Sequence, residues 1–198
     1  MDFNGNFFSA LAGAVVGGFA SCFATWWQHC LENKRKESDS NKVINATLQA
    51  IKAELNGLRE RYMETIGSQL ESAGDDTPFL FYYYAHEDYF TIYNQNASVL
   101  GQIGSDELRA SIVAVYIQIK SLLDTYKSNN TLIEKYDYYS MLYLETESPK
   151  HKEQVDNYHK LLLDYLPYIK DSHKKTMNLG KDVINKITKY LNSPSGED

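Results

Sequence analysis

Hydrophobic and polar positions along this chain fall into three regimes. From Phe3 to Leu31 there is no Asp, Glu, Lys or Arg, and the run closes on Glu32, Lys34, Arg35, Lys36 and Glu37. Within it, Phe7 to Trp27 carries no charged side chain. A helix of about 20 apolar residues crosses a bilayer core of about 30 Å, so the length suffices for one span. The second regime is a seam. Ile44, Leu48, Ile51, Leu55, Leu58 and Tyr62 step alternately by four and three, the heptad-like spacing of a coiled-coil face. It continues less strictly through Ile66 and Leu70, with no Pro from Asn33 to Asp76. The spacing predicts a long helix that can run on from the first segment. It ends at Ser72 to Pro78, where Gly74, Asp75, Asp76 and Pro78 mark a loop.

The third regime begins with Phe79 to Tyr84, read as a lead-in to a helix from His86 to Leu100. Gly101 suits a left-handed stop, and Ser105 suits an N-cap ahead of Asp106 and Glu107, whose charges favour a helix start. A helix follows with Leu108, Ile112, Val115, Ile119 and Leu122 on one face, interrupted at Asn129-Asn130-Thr131. Further helices are expected at Leu132 to Leu144, Lys152 to Ile169 and Ser172 to Leu191, with Pro167 ending or kinking the second of them. Alternating runs do not persist. The expected fold class is all-α: an N-terminal transmembrane helix (1–33), an antiparallel cytoplasmic helical bundle (34–192) and a disordered tail (193–198).

The first segment reads as a retained anchor. A cleaved signal has a basic start and a short apolar region of about 7 to 15 residues; here Met1 to Asn6 has Asp2 and no base, and the apolar run is longer. Lys34, Arg35 and Lys36 on the far side keep that side cytoplasmic, with the N-terminus outside. Trp26 and Trp27 suit the headgroup level. Small residues recur every four positions at Ser9, Gly13, Gly17 and Ser21, with Ala10, Ala14 and Gly18 as a second row. Such rows let two helices approach closely in lipid, which predicts self-association through this face and a homo-oligomer.

Net charge is −6, which opposes general nucleic-acid binding, since that needs basic surface to displace counterions. The distribution is uneven. Glu71 to Pro149 holds twelve acids against four bases, and Lys150 to Asn192 holds nine lysines against five acids. Pairing between the two is the simplest expectation. Cys22 and Cys30 both lie in or beside the apolar run, so no disulfide framework or metal spacing is present. His151, His159 and His173 sit among lysines and are expected on a solvated face. No catalytic constellation, phosphate cradle or metal motif is found, so no cofactor is expected and the chain reads as a non-enzyme. The 16 tyrosines concentrate in Phe79 to Tyr93 and Tyr136 to Tyr143. Consecutive tyrosines cannot all face one core, so Tyr82, Tyr83, Tyr138 and Tyr139 are candidates for a partner-binding surface.

The stretch Tyr93-Asn94-Gln95-Asn96-Ala97-Ser98-Val99-Leu100-Gly101-Gln102-Ile103, followed by Glu107-Leu108 and Val113-x-x-Tyr116, resembles a segment of small bacterial single-pass membrane proteins with a helical cytoplasmic domain. Some of these are found beside antiphage systems, including retron cassettes with a transmembrane effector. Such effectors can have two spans, where one is read here. The resemblance implies an inner-membrane location and a role in antiviral defence. It also implies a cytoplasmic protein or ribonucleoprotein partner. Two functions follow as expectations: a membrane-perturbing toxin-like effector, or a tethered adaptor using the tyrosine-rich surface.

Overall fold

The computed structural model describes the backbone of residues 3–84 and 89–192, and side chains within those ranges from residue 23 onward. Among the described residues there are helices and connecting segments and no strand, so the chain is all-α. Helix α1 spans Phe3–Tyr62, and one π-helical turn at Met63–Gly67 joins it to α2 at Ser68–Ser72. Two short helices follow, α3 at Thr91–Gln95 and α4 at Ala97–Leu100. Long helices α5 (Asp106–Thr146) and α6 (Pro149–Asn192) complete the chain. Two compact units divide it, Met1–Asn45 and Ala46–Asp198.

In the first unit α1 presents Phe23, Trp26, Trp27 and Leu31 to solvent. Phe23 lies 5.9 Å from Trp26 and 6.2 Å from Trp27, ring to ring. Past them the helix is polar, with Lys36 paired to Glu32 and Lys42 to Asp39. Among the described residues no helix is long and apolar enough to cross a membrane. The expected span Phe7 to Trp27 lies outside the described side chains up to Cys22. So do the small-residue rows at Ser9, Ala10, Gly13, Ala14, Gly17, Gly18 and Ser21.

In the second unit the seam is where its spacing put it. Leu48, Ile51, Leu55 and Tyr62 are buried, and Ile66 and Leu70 extend the row beyond α1. The π turn adds a residue without breaking the ladder, and Ser68 Oγ donates to Met63 O at 2.9 Å. A methyl in place of Gly67 would meet Met63 Sδ at 2.6 Å and Tyr62 Cε1 at 2.9 Å, so Met63 and the buried Tyr62 ring would have to shift. Tyr62, Ile66 and Leu70 join Leu122 and Tyr126 of α5 and Leu166 and Ile169 of α6 in one apolar cluster.

Helices α5 and α6 form an antiparallel hairpin. Tyr139 faces Tyr158, Gln118 faces Thr176 and Ser111 faces Lys186. Ser105 caps α5 as expected, its side chain accepting from Leu108 N at 3.3 Å. Glu147, left-handed at φ 50°, reverses the chain, and Pro149 opens α6. The opposite charge balance of the two halves is used within the unit: Asp75 pairs with Lys170 and Glu107 with Lys186.

Several expectations are corrected. Asn129-Asn130-Thr131 does not interrupt α5, because both asparagines turn inward and bond the backbone of the preceding crossover rather than their own helix. The three final helices are two, since neither Ile169 to Ser172 nor Pro167 ends α6. Proline removes one backbone donor, and burial of Leu166 and Ile169 on either side holds the helix through it. The helix from His86 to Leu100 is replaced by α3 and α4, parted at Asn96, with residues 85–88 outside the described ones. Gly101 has φ −63° and is an ordinary right-handed position. His173 is buried, because Tyr62 and Glu71 bond both its ring nitrogens.

Candidate functional site

The crossover between α2 and α5 positions the tyrosines. At residues 73–84 it has no helix to satisfy its backbone, so helix side chains do so. Asn130 Nδ2 donates to Tyr83 O at 2.9 Å, and Tyr83 N donates to Asn130 Oδ1 at 3.2 Å, a two-bond pairing of amide with backbone. Asn129 Nδ2 donates to Phe79 O at 3.1 Å, and Lys170 Nζ to Ala73 O at 2.7 Å. Further on, Glu54 accepts from Ile92 N at 2.7 Å, Tyr93 N at 3.3 Å and the Tyr116 hydroxyl at 2.6 Å. Tyr93 stacks on Tyr116 at 3.9 Å.

The four candidate tyrosines fall into two pairs. Tyr83 and Tyr139 turn inward. Tyr83 meets Tyr62 edge-on at 6.1 Å and lies 5.0 Å from Tyr126, while Tyr139 stacks on Tyr158 at 5.5 Å. Tyr82 and Tyr138 face solvent. The Tyr82 hydroxyl donates to Asp137 Oδ2 at 3.0 Å, and its ring lies parallel to Tyr84 at 5.9 Å. Burial and the Asp137 carboxylate push the Tyr82 hydroxyl up to about 12.

Three residues that sequence reasoning missed extend this surface. Tyr84 is 69% exposed, and Met141 and Leu144 are 63% and 79% exposed. Met141 and Leu144 follow Tyr138 by three and six positions, so the three form one exposed stripe along the end of α5. Leu144 follows Tyr126 by eighteen residues and Ile133 by eleven, whole numbers of turns, so it continues the buried row and no local pattern marks it as exposed. Contiguous exposed apolar side chains of this size mark contact sites.

A second constellation is internal. The Tyr126 and Tyr62 hydroxyls lie 2.9 Å apart, Tyr62 Oη is 2.8 Å from His173 Nδ1, and His173 Nε2 is 3.1 Å from Glu71 Oε1. A carboxylate only accepts, so in the neutral imidazole Nε2 carries the proton and Nδ1 accepts from Tyr62. Tyr62 then accepts from Tyr126. Every proton has a place, and four elements are tied together from core to surface. Hydroxyl, imidazole and carboxylate in this order match a nucleophile, its base and an orienting group. The hydroxyl, however, is phenolic and buried, and burial raises both tyrosines well above their ordinary range. A cavity of about 50 Å³ adjoins Tyr62, lined chiefly by apolar side chains such as Leu58, Ile119 and Met177 beside Gly180. It has room for little more than a small molecule the size of a few waters.

No protein-family model, curated protein or solved structure matches this chain. The reading of its function therefore rests on these residues.

Proposed function

We propose that this chain is a membrane-anchored, non-enzymatic effector of bacterial antiphage defence. Its N-terminal segment self-associates in the inner membrane and perturbs it, while the helical unit lies in the cytoplasm. The observation that carries this reading is the uncharged run from Phe3 to Leu31, closed by Lys34-Arg35-Lys36. The exposed aromatics Phe23, Trp26 and Trp27 at its end support it, since indole rings suit the bilayer interface. Gly13 and Gly17 would form the contact between spans.

The test is inducible expression with a membrane-potential dye. The full chain should depolarise cells, and a chain starting at Lys34 should not. Replacing Gly13 and Gly17 by Leu should remove the effect at equal expression; unchanged depolarisation would reject the mechanism.

A second reading is a tethered adaptor that holds a cytoplasmic protein at the membrane. The outward-facing Tyr82, Tyr84, Tyr138, Met141 and Leu144 favour it. This reading expects no growth arrest on overexpression and full function after exchange of the span for an unrelated one.

A further inference from the structure

The outer face at the α5 end of the hairpin has a definite chemistry. Its apolar part is the Tyr82–Tyr84 stack with Tyr138, Met141 and Leu144. Its charge comes from the same helical turns. Glu134 precedes Tyr138 by four, Asp137 precedes Met141 by four, and Glu145 follows Met141 by four, spacings that place all three carboxylates beside the apolar stripe. Residues 134–147 hold four carboxylates and one lysine, Lys135. The aromatic faces are ordered in advance, because Asp137 holds the Tyr82 hydroxyl and Asn130 holds the Tyr83 backbone between the two outward rings.

We propose that this face binds a basic, partly apolar polypeptide segment whose lysine or arginine heads meet Glu134, Asp137 and Glu145 and whose stems and apolar residues cover the tyrosines, Met141 and Leu144. Cations favour tyrosine faces, and arginine stacks on them. Charge removes the other occupants. An anionic lipid surface attracts basic segments, not acidic ones. A nucleic-acid backbone is repelled for the same reason. A symmetric contact with a second copy would set these carboxylates against their own counterparts, and residues 134–153 stay net acidic, five carboxylates against Lys135, Lys150 and Lys152. The inference deepens the adaptor reading by giving the partner's chemistry, and it does not depend on whether the N-terminal run lies in a bilayer.

The test is a fluorescence-anisotropy titration of the full chain in neutral detergent, with micelles alone subtracted. The probe is a short labelled peptide of lysine and leucine; the control has glutamate in place of lysine. Saturable binding of the lysine peptide, weakened by salt, is expected, with no binding of the control. The triple variant Glu134→Gln, Asp137→Asn, Glu145→Gln should weaken it by about tenfold or more, as loss of several partly exposed charge contacts requires. The pair Met141→Ser and Leu144→Ser, on exposed helix positions, should weaken it at unchanged helix content. Equal binding of the glutamate peptide, or undiminished binding by both variants, would overturn the proposal. So would anionic vesicles, or a second copy of the chain, binding through the same residues. Recovery of the chain in the soluble fraction would instead defeat the anchor and leave this titration standing.

Discussion

The α5–α6 hairpin and the crossover at residues 73–104 meet the same requirement by opposite means. In the hairpin each helix closes its own backbone hydrogen bonds, and its side chains are left to pack. Leu122 and Tyr126 of α5 meet Leu166 and Ile169 of α6 in one cluster with Tyr62 and Phe79. In the crossover, outside the short helices α3 and α4, the described backbone has no regular ladder; Asn129, Asn130 and Lys170 supply its partners one at a time, and Glu54 takes the first N–H groups of α3. Apolar area holds the first region; in the second, directed bonds place the backbone and Phe79, Phe90 and Ile103 add buried area. Apolar burial is shared over many atoms and fails gradually. A directed bond fails singly and strands its partner, at a cost of about 1–3 kcal/mol for a buried group.

Alkali breaks both regions and gives the largest expected effect. Burial raises the Tyr62 and Tyr126 hydroxyls well above the ordinary tyrosine value of 10.0, and Tyr83 of the crossover is pushed up to about 12 by burial and the nearby Tyr89. Unfolded tyrosines ionise near 10.0, while these keep their protons in the folded chain. The unfolded state therefore releases protons first, and the stability these groups contribute is intact below pH 10 and falls as pH rises above it. Unfolding between pH 10 and about 12 is expected, read by tyrosinate absorbance with circular dichroism. Full tyrosine ionisation near pH 10 with all helix retained would contradict this burial.

The next effect separates the regions. Leu166→Ala removes a fully buried side chain from the central cluster and should cost about 2–5 kcal/mol in denaturant unfolding. The loss should be global, with slow-exchanging amides of α5 and α6 weakened together. Asn130→Ala should cost less, about 1–3 kcal/mol, because it strands the Tyr83 N–H and C=O. Its signature is local: faster hydrogen exchange at the Tyr83 amide before any change in α6. Equal acceleration throughout the hairpin would mean that the crossover and the hairpin open as one.

The same division explains what could be read from the chain. Ile44 to Tyr62, and Leu108 to Leu122, follow a helical period, and their burial follows from it. Ser105 was legible because a cap is a local bond within three residues. Asn129-Asn130 misled because asparagines compete with a helix only when their amides bond their own chain segment. Here the partners lie 50 and 47 residues away, which no local pattern shows. His173 was misplaced for a related reason: Tyr62 and Glu71 reach it from 111 and 102 residues upstream. In the candidate surface, the alternation of exposed and inward tyrosines could be anticipated. Which of Tyr82, Tyr83 and Tyr84 face out is set by the Asn130 clamp, 47 residues away in sequence, while Tyr138 and Tyr139 follow their places on α5.

The smallest expected effect tests the hairpin at its one point of backbone departure. Glu147 closes α5 in the left-handed region, at φ 50° and ψ 21°, with its N–H donating to Tyr143 O at 2.8 Å. A side chain with a Cβ is disfavoured there by about 1–2 kcal/mol, and glycine is the usual occupant of that position. The bond to Tyr143 is a backbone bond and survives substitution. Glu147→Gly should therefore stabilise the protein, by no more than about 1 kcal/mol once glycine's greater freedom in the unfolded chain is subtracted. Glu147→Ala should leave the strain in place and gain nothing. A rise in thermal midpoint for glycine and not for alanine assigns the effect to backbone geometry. An equal rise for both would assign it to relief of the local negative charge around Glu145 and Glu147, and would make the electrostatics of the α5 end, not its turn, the weaker feature of the hairpin.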